Sequence, residues 1–393
     1  MTLASTILLA AAAAGLVAAG LQYLALRRHL RVRPPRAGAR PGVSVLKPLC
    51  GLDDDLEANL ATFTDLDYPL YEVLLGVRST SDPAWPLACA AAARRPDRFR
   101  VVVQRGEPGL NPKVNQLVSL AREARHDLLV VSDSNVRVHR GYVAGIADLL
   151  EDEEVGLVTH PIAGVGERRL GSLFDNLHLA GGISPGMVGA KRLAGRDIVV
   201  GKSMALRRRD LEALGGFEAV KDVLAEDWAM GVMVGRTLGR RVAIAAEPVE
   251  NVSRDRSVRE FLSRYSRWAV LQCRAVGPVV HAGQILLNPV LLALAGVAAG
   301  PCLAALLSFA ATCVAKAGID GASARLLRPG GFRRRQLLLV PAKDLVFALA
   351  WLHGLLSDRV SWRGNRLRVL AGTRLALPQT DASGEETLAP GRV

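Results

Sequence analysis

Residues 3–26 read LASTILLAAAAAGLVAAGLQYLAL without a single charge, and arginines begin at Arg27. About 24 apolar residues are enough to cross a hydrocarbon core of about 30 Å. A cleaved secretion signal carries its positive charge ahead of the apolar stretch. Here Arg27, Arg28, Arg31, Arg33, Arg36 and Arg40 follow it. The run is therefore expected to be a retained anchor (1–26), joined by a basic linker (27–42) to the rest of the chain. Positive charge accumulates on the cytosolic side of a membrane. That rule places residue 27 onward in the cytosol, at a bacterial inner membrane that the chain crosses several times.

The chain has 393 residues, of which 50% are hydrophobic, with a formal charge of +13. The apolar residues gather at the two ends and much of the basic surplus flanks them. The charge thus fits an anionic membrane surface or an anionic substrate, and no nucleic-acid motif accompanies it. The five cysteines, Cys50, Cys89, Cys273, Cys302 and Cys313, have no CxxC spacing. They predict neither a disulfide framework nor a zinc site.

Between residues 43 and 252 short apolar runs alternate with amphipathic ones. Strands are predicted at 43–49, 71–77, 100–104, 127–135, 155–162, 198–206 and 241–248, and helices at 114–124 and 142–152. This alternation predicts an α/β domain with a mostly parallel, Rossmann-like sheet. Residues 253–275 contain SVREFLSRYSRWAVLQC, expected to be an amphipathic helix on the membrane surface. Two transmembrane helices are expected over 276–320, then a basic cytosolic loop, 321–335. A further apolar segment, 336–357, holds Lys343 and Asp344 near its middle, which is costly in lipid unless they are paired. If it spans, the basic stretch RVSWRGNRLRV lies outside, against the charge rule. A re-entrant segment fits equally. The last part of 358–393 reads as disordered.

Five places carry chemistry. Asp133-Ser134-Asn135 closes an apolar strand, so its oxygen ligands stand at the carboxyl edge of the sheet, where open α/β folds bind ligands. Asp133 and Asn135 are the candidate metal ligands, for a divalent ion that bridges phosphates. A simple Asx turn reads the same way. Glu226-Asp227 opens a helical pattern, where acidic residues also favour the first turn. Asp227 is the candidate base that takes a proton from a hydroxyl. Arg264, Arg267 and Trp268 form RxxRW at helical spacing, a set suited to a diphosphate or equally to anionic lipid. Lys113 and Asn115 lie in GLNPKVN, where Lys113 can neutralise phosphate. Asp82, in STSDPAW, is a candidate nucleotide contact or a helix cap.

The ordered set LKPLCGLDDDLEANL, FTDLDYPLYEVLLGV, SDPA, GLNPKVNQL, DSN, VVGKSMALRR, AEDWAM and RYSRW, covering about residues 43–270, resembles the ceramide glucosyltransferases (glycosyltransferase family 21) and their bacterial relatives, the hopanoid-biosynthesis glycosyltransferases. The resemblance implies a GT-A fold and inverting transfer of one sugar from a UDP-sugar to a lipid hydroxyl. In that reading Asp82, Lys113, Asn115, Asp133 and Arg264 serve the donor. Asp227 is the base, Arg267 and Trp268 complete the catalytic set, and Mg2+ or Mn2+ is the cofactor. The stretch LAGGISPGMVGAK (179–191) is expected to be an apolar, glycine-rich loop without the histidine of animal ceramide enzymes. That loop and the chain's length favour a hopanoid polyol acceptor, with UDP-GlcNAc or UDP-glucose as donor. Ceramide glucosylation is the alternative. A processive polysaccharide synthase is more distant, since it needs more spans than this chain offers.

Overall fold

The computed structural model describes residues 1–32, 38–362 and 365–377. Arg33, Arg36, part of the expected linker and the expected disordered tail from residue 378 lie outside the described residues.

Seven strands make one sheet: β1 (Val43–Pro48), β2 (Tyr71–Val77), β3 (Phe99–Val103), β4 (Leu128–Ser132), β6 (Val155–Thr159), β8 (Ser203–Arg207) and β9 (Arg241–Ile244). Their order is β3-β2-β1-β4-β8-β6-β9. Only β8 runs against the others. A strand covered on both faces buries every residue, and β4 does so. Alternate residues feed two separate cores. Val130 packs with Val45, Val73 and Ile146 on one face. Leu129 and Val131 pack with Leu46, Leu117 and Met230 on the other. All seven apolar runs supply strands of this sheet. The one predicted over 198–206 starts late, at Ser203, because the preceding backbone is committed elsewhere: the Gly201 N–H goes to a side chain described below.

A small sheet of β5 (Val136–Arg137), β10 (Val249–Val252) and β7 (Ile162–Val165) stands at the carboxyl edge. Residues 179–191 are not a loop. They continue the helix Leu170–His178 through a π-turn, Leu179–Ile183, into the helix Ser184–Ala194. The only proline there, Pro185, stands where the π-turn passes into that last helix, the point at which the hydrogen-bond ladder changes step.

The first helix, Leu3–His29, is 27 residues long. The amphipathic helix is Val258–Val276, closed by a capping box in which the Glu260 N–H donates to Ser257 Oγ and the Ser257 N–H to Glu260 Oε2. Where a straight span is expected over 277–299, the chain breaks: Pro278–Leu287 and Pro289–Ala299 meet at 81°. Pro289 ends one helix and starts the next. Leu303–Leu327 is longer than expected at 25 residues, because Lys316 and Asp320 pair within it. Among the described residues three helices, Leu3–His29, Leu303–Leu327 and Arg334–Leu356, are long and apolar enough to cross a membrane, and up to four if the bent pair counts as one span. Finally, β11 (Arg359–Trp362), β12 (Asn365–Val369) and β13 (Leu375–Ala376) form a three-stranded antiparallel sheet. It returns to the α/β domain: the Leu224 N–H donates to Thr373 O at 2.9 Å and the Leu375 N–H to Asp222 O at 2.7 Å.

Candidate functional site

The carboxyl ends of β1, β2 and β4 and the entry to β8 share one edge, and the polar side chains gather there. Asp133 follows β4 directly. Its carboxylate meets Lys113 Nζ at 2.9 Å and Lys202 Nζ at 3.0 Å. Burial alone would raise its pKa, but the two ammonium groups hold it well below the usual carboxylate range.

Lys113 reaches that point because Asn111 caps its helix, accepting from the Lys113 and Val114 N–H groups. Its ammonium also contacts Glu226 Oε1 at 2.7 Å and donates to Gly201 O at 3.2 Å. Desolvation opposes its charge, yet Asp133, Glu226 and Asp227 raise its pKa. Asp133, Glu226 and Asp227 are thus brought around one lysine.

Asp227 opens the helix Glu226–Leu238. Gly201 N–H donates to its Oδ2 at 2.5 Å and Trp228 N–H to its Oδ1 at 2.8 Å. A Cβ on residue 201 would stand 2.8 Å from that Oδ2, so only glycine allows the approach. Burial, then the neighbouring Glu226 charge, push the Asp227 carboxyl up to about 6, against the pull of Lys113. A carboxylate with that pKa accepts a proton more readily than an ordinary one near neutrality.

Other predicted residues take different places. Asn135 spends its amide on Asn251 Oδ1 (3.0 Å) and Val252 O (3.2 Å), and its oxygen accepts from Lys202 at 2.8 Å. Its oxygen keeps a second lone pair at the Asp133 edge, beside the bond from Lys202. Asn115 clamps Gly109, accepting from its N–H and donating to its O, which shapes the loop before Lys113. Asp82 lies at the same edge but apart from the lysines. Its Oδ1 accepts from Gly51 and Ala84 N–H, as a turn cap does.

Arg264 is buried and donates to Asp175 at 3.2 Å, while its guanidinium stacks 5.1 Å from the Trp268 ring. Asp175, itself fully buried, also accepts from Tyr265 OH at 2.7 Å. Arg264 and Arg267 line a cleft with Leu52, Asp53, Arg256 and Ser263. Arg264 feels the charges of Asp133 and Asp53, which places this cleft beside the lysine cluster.

Sequence reasoning missed four residues. Lys202 stood in VVGKSMALRR without a role. Lys47, fully buried, donates to Ser132 Oγ (3.1 Å) and Asp133 O (2.8 Å), and burial lowers its pKa to about 7. A lysine inside an apolar strand run was the signal for both. Asp53, which accepts from Ser134 Oγ, and Asp175 gave no signal, since their partners are distant in the chain.

Among the described residues no three His, Cys, Asp or Glu side chains form a metal-binding group. Magnesium nevertheless commonly uses one or two carboxylates plus substrate phosphates. Asp133 offers a carboxylate for that limited role and Asn135 an amide oxygen beside it, with Lys202 contacting both.

Comparison with known proteins places residues 7–375 under the family model described as glycosyl transferase family 21. A ceramide glucosyltransferase 3 of Caenorhabditis elegans is 30% identical over 258 residues, covering 64% of this chain and 54% of that protein. A ceramide glucosyltransferase of Komagataella phaffii is 28% identical over 215 residues, covering 49% and 41%. The chain therefore spans about half the length of the curated relatives it matches. Among solved structures, a mannosyltransferase from Pyrobaculum calidifontis, in complex with GDP-Man and Mn2+, superposes with a TM-score of 0.50 at 23% identity. The match covers 89% of this chain and 99% of that one. This likeness shows the GT-A-like fold.

Proposed function

Because the chain belongs to glycosyl transferase family 21, we propose that it moves one sugar, with inversion, from a UDP-sugar to the hydroxyl of a membrane lipid. The observation that carries this reading is Asp227: a carboxylate with a raised pKa, next to Glu226, whose partner Lys113 also pairs with Asp133, in a chain with membrane-length helices. The acceptor hydroxyl attacks the anomeric carbon from the face opposite UDP. Its proton passes to Asp227, the bond from the anomeric carbon to the UDP oxygen breaks, and UDP leaves with the electron pair. Lys113 and Lys202 supply positive charge where the diphosphate would lie, and Arg264 and Arg267 border the same place. Asp82 and Asn115 serve the donor side, Asn115 by holding the Gly109 loop. A divalent cation, held by Asp133 together with the phosphates, would supply further charge neutralisation.

The curated relatives are ceramide glucosyltransferases, so glucosylation of a ceramide-type acceptor is better supported than the hopanoid polyol expected from the sequence. The expectation of a hopanoid rested on an apolar, glycine-rich loop at 179–191 and on the chain's length, and 179–191 is helical. Arginines behind the first span support a cytosolic catalytic face at a bacterial inner membrane. The test is incubation of the protein in its membrane with UDP-glucose or UDP-GlcNAc and either ceramide or a hopanoid polyol, read by mass spectrometry. One hexose on ceramide is expected. A ladder of products would favour a polymerase, and absence of UDP release with every pair would sink the proposal.

Two outcomes follow from the site. Asp227 works as a base only when deprotonated, and its pKa lies near 6 rather than near 4. Turnover should therefore fall as pH drops through about 6, by about tenfold per unit further down. A pH–rate profile of kcat/KM checks this; a limb at pH 4 would contradict it. Chelation of divalent cations should lower turnover by about ten- to hundredfold and weaken UDP binding, measured by titration calorimetry, while the thermal midpoint stays close to that of the untreated protein.

A further inference from the structure

The helix Leu3–His29 gives the membrane region two labelled ends. At its start, Thr2 Oγ1 donates to Ala299 O at 2.9 Å, and a Cβ on Gly300 would stand 3.0 Å from the Thr2 nitrogen. The turn 300–302 therefore lies at that end. At its finish, His29 Nε2 stands 3.1 Å from Ala245 O of the catalytic domain, and Leu26 packs in one cluster with Ala324 and Leu327. Leu303–Leu327 thus runs back to the catalytic face. Arg328 confirms the arrival, pairing with Glu167 at 3.0 Å and donating to Gly164 O at 2.8 Å.

From there the chain passes through Arg334–Leu356 and emerges in β11–β13, which pair with Asp222 and Leu224 immediately before the Glu226–Leu238 helix. Both ends of the segment are on the catalytic face. A path with both ends on one face makes no net crossing, whatever its hydropathy.

The middle of the segment is nevertheless below the surface. Lys343 meets Asp320 at 3.5 Å and Asp344 meets Lys316 at 3.7 Å, on the long span. Asp320 lies about two turns, roughly 10 Å, before Leu327. Asn288, at the break in the bent pair, donates to Asp344 O at 3.0 Å, and Trp351 Nε1 donates to His281 O at 2.9 Å. Gly354 touches the amphipathic helix: a Cβ there would stand 2.7 Å from the Ala269 backbone. The outward side of these segments is apolar, with Leu338, Leu349, Leu352, Leu356, Val279 and Leu286 exposed. Exposed arginines bracket the segment at 333–335 on one side and at Arg359 and Arg366 on the other.

We propose that Arg334–Leu356 is a re-entrant helix which, with Val258–Val276, seats the catalytic domain in a single leaflet of anionic phospholipid. The occupant of the apolar face is lipid because the face continues directly into the full spans and its rim is positively charged at both ends. The spacing of the charges agrees: a true span would put one arginine group on the far side, against the usual bias. This conclusion concerns the path of the chain and stands whichever sugar or lipid the site uses.

The experiment uses the full chain in membrane vesicles of either orientation, with single cysteines in a cysteine-free background and a membrane-impermeant maleimide. Arg359→Cys is expected to label from the same face as Arg105→Cys of the catalytic domain, and Pro301→Cys from the opposite face. Labelling of positions 359 and 301 from one face would overturn the proposal. A protease-cleavable tag after Val393 gives the same readout with the native cysteines in place, should the cysteine-free chain fail to fold. A fluorophore on Leu349→Cys should be quenched at least twofold by nitroxide-bearing phospholipids. Cross-linking between copies at that position without quenching would assign the face to a second copy and also overturn the proposal.

Discussion

Replacement of Asp227 by asparagine is expected to lower kcat by about a hundredfold or more, the usual range for loss of a positioned base. A hundredfold corresponds to about 2.7 kcal/mol of barrier. The carboxylate accepts from two backbone N–H groups, Gly201 and Trp228. Asparagine has one acceptor oxygen, so one N–H then faces an amide NH2 and the side chain can shift. That local cost has to be separated from loss of the base. The separation is possible because Lys113 keeps both Asp133 and Glu226 as partners in the variant. Donor affinity should therefore change by less than about threefold, since the groups that meet phosphate are untouched. The acid limb of the pH profile should also disappear from the residual activity. Near-normal turnover, or a limb that persists at pH 6, would remove Asp227 from the role of base. Gly201→Ala offers an independent check. It presses a methyl group against the same carboxylate, 2.8 Å from Oδ2, and should depress kcat through geometry alone while the base remains.

Strand positions were readable because buried β-strands announce themselves as short apolar runs, and β1 to β4 needed nothing more than that pattern. Lys113, Asp133 and Asp227 were readable because each sits where the chain leaves a strand or enters a helix, at the edge where such folds bind ligands. What could not be read depended on partners far along the chain. Asn135 was read as a candidate ligand, but nothing near it in sequence announces that its amide nitrogen also ties to Asn251, 116 residues away. Asp175 drew no notice in the sequence, although it fixes Arg264 across 89 residues. Residues 179–191 misled for a different reason. Glycines and a proline suggest a loop, yet Gly181 is small because the Asp320 carboxylate of a membrane helix rests where its side chain would be, 2.3 Å from an ideal Cβ. Lys343 and Asp344 were recognisable as needing partners. Lys316 and Asp320, four residues apart on one helix face, were the partners, and that spacing was present in the sequence.

That buried quartet carries the second large expected effect. Lys316 pairs with Asp320 at 2.5 Å and Lys343 with Asp344 at 2.5 Å, with cross-contacts of 3.5 and 3.7 Å, and all four side chains are nearly inaccessible. Two positive and two negative charges cancel. Asp320→Asn leaves two ammonium groups to share one carboxylate. An uncompensated buried charge costs about 3–5 kcal/mol, a large part of the total stability of about 5–15 kcal/mol typical of a folded protein. The single variant should yield little folded protein, measured by size-exclusion profile and thermal midpoint in detergent. Adding Lys316→Met removes one positive charge and leaves the Lys343–Asp344 pair intact. The double variant should recover to within about 1–2 kcal/mol of the parent, because a neutral replacement of a buried pair is commonly tolerated. Equal stability of parent and single variant, or no recovery in the double, would show that the quartet is not what holds these helices. Any loosening should also reach the site. Phe347, one turn beyond Lys343, stacks 4.1 Å from the His178 ring, and His178 packs edge-on at 4.6 Å against Tyr265, whose hydroxyl donates to Asp175. Burial pushes His178 down to about 3, so it stays neutral and transmits packing rather than charge. The double variant, if folded, is therefore the sharper probe: restored stability with a lowered kcat would mean that the charges align Arg264 as well as hold the helix in place.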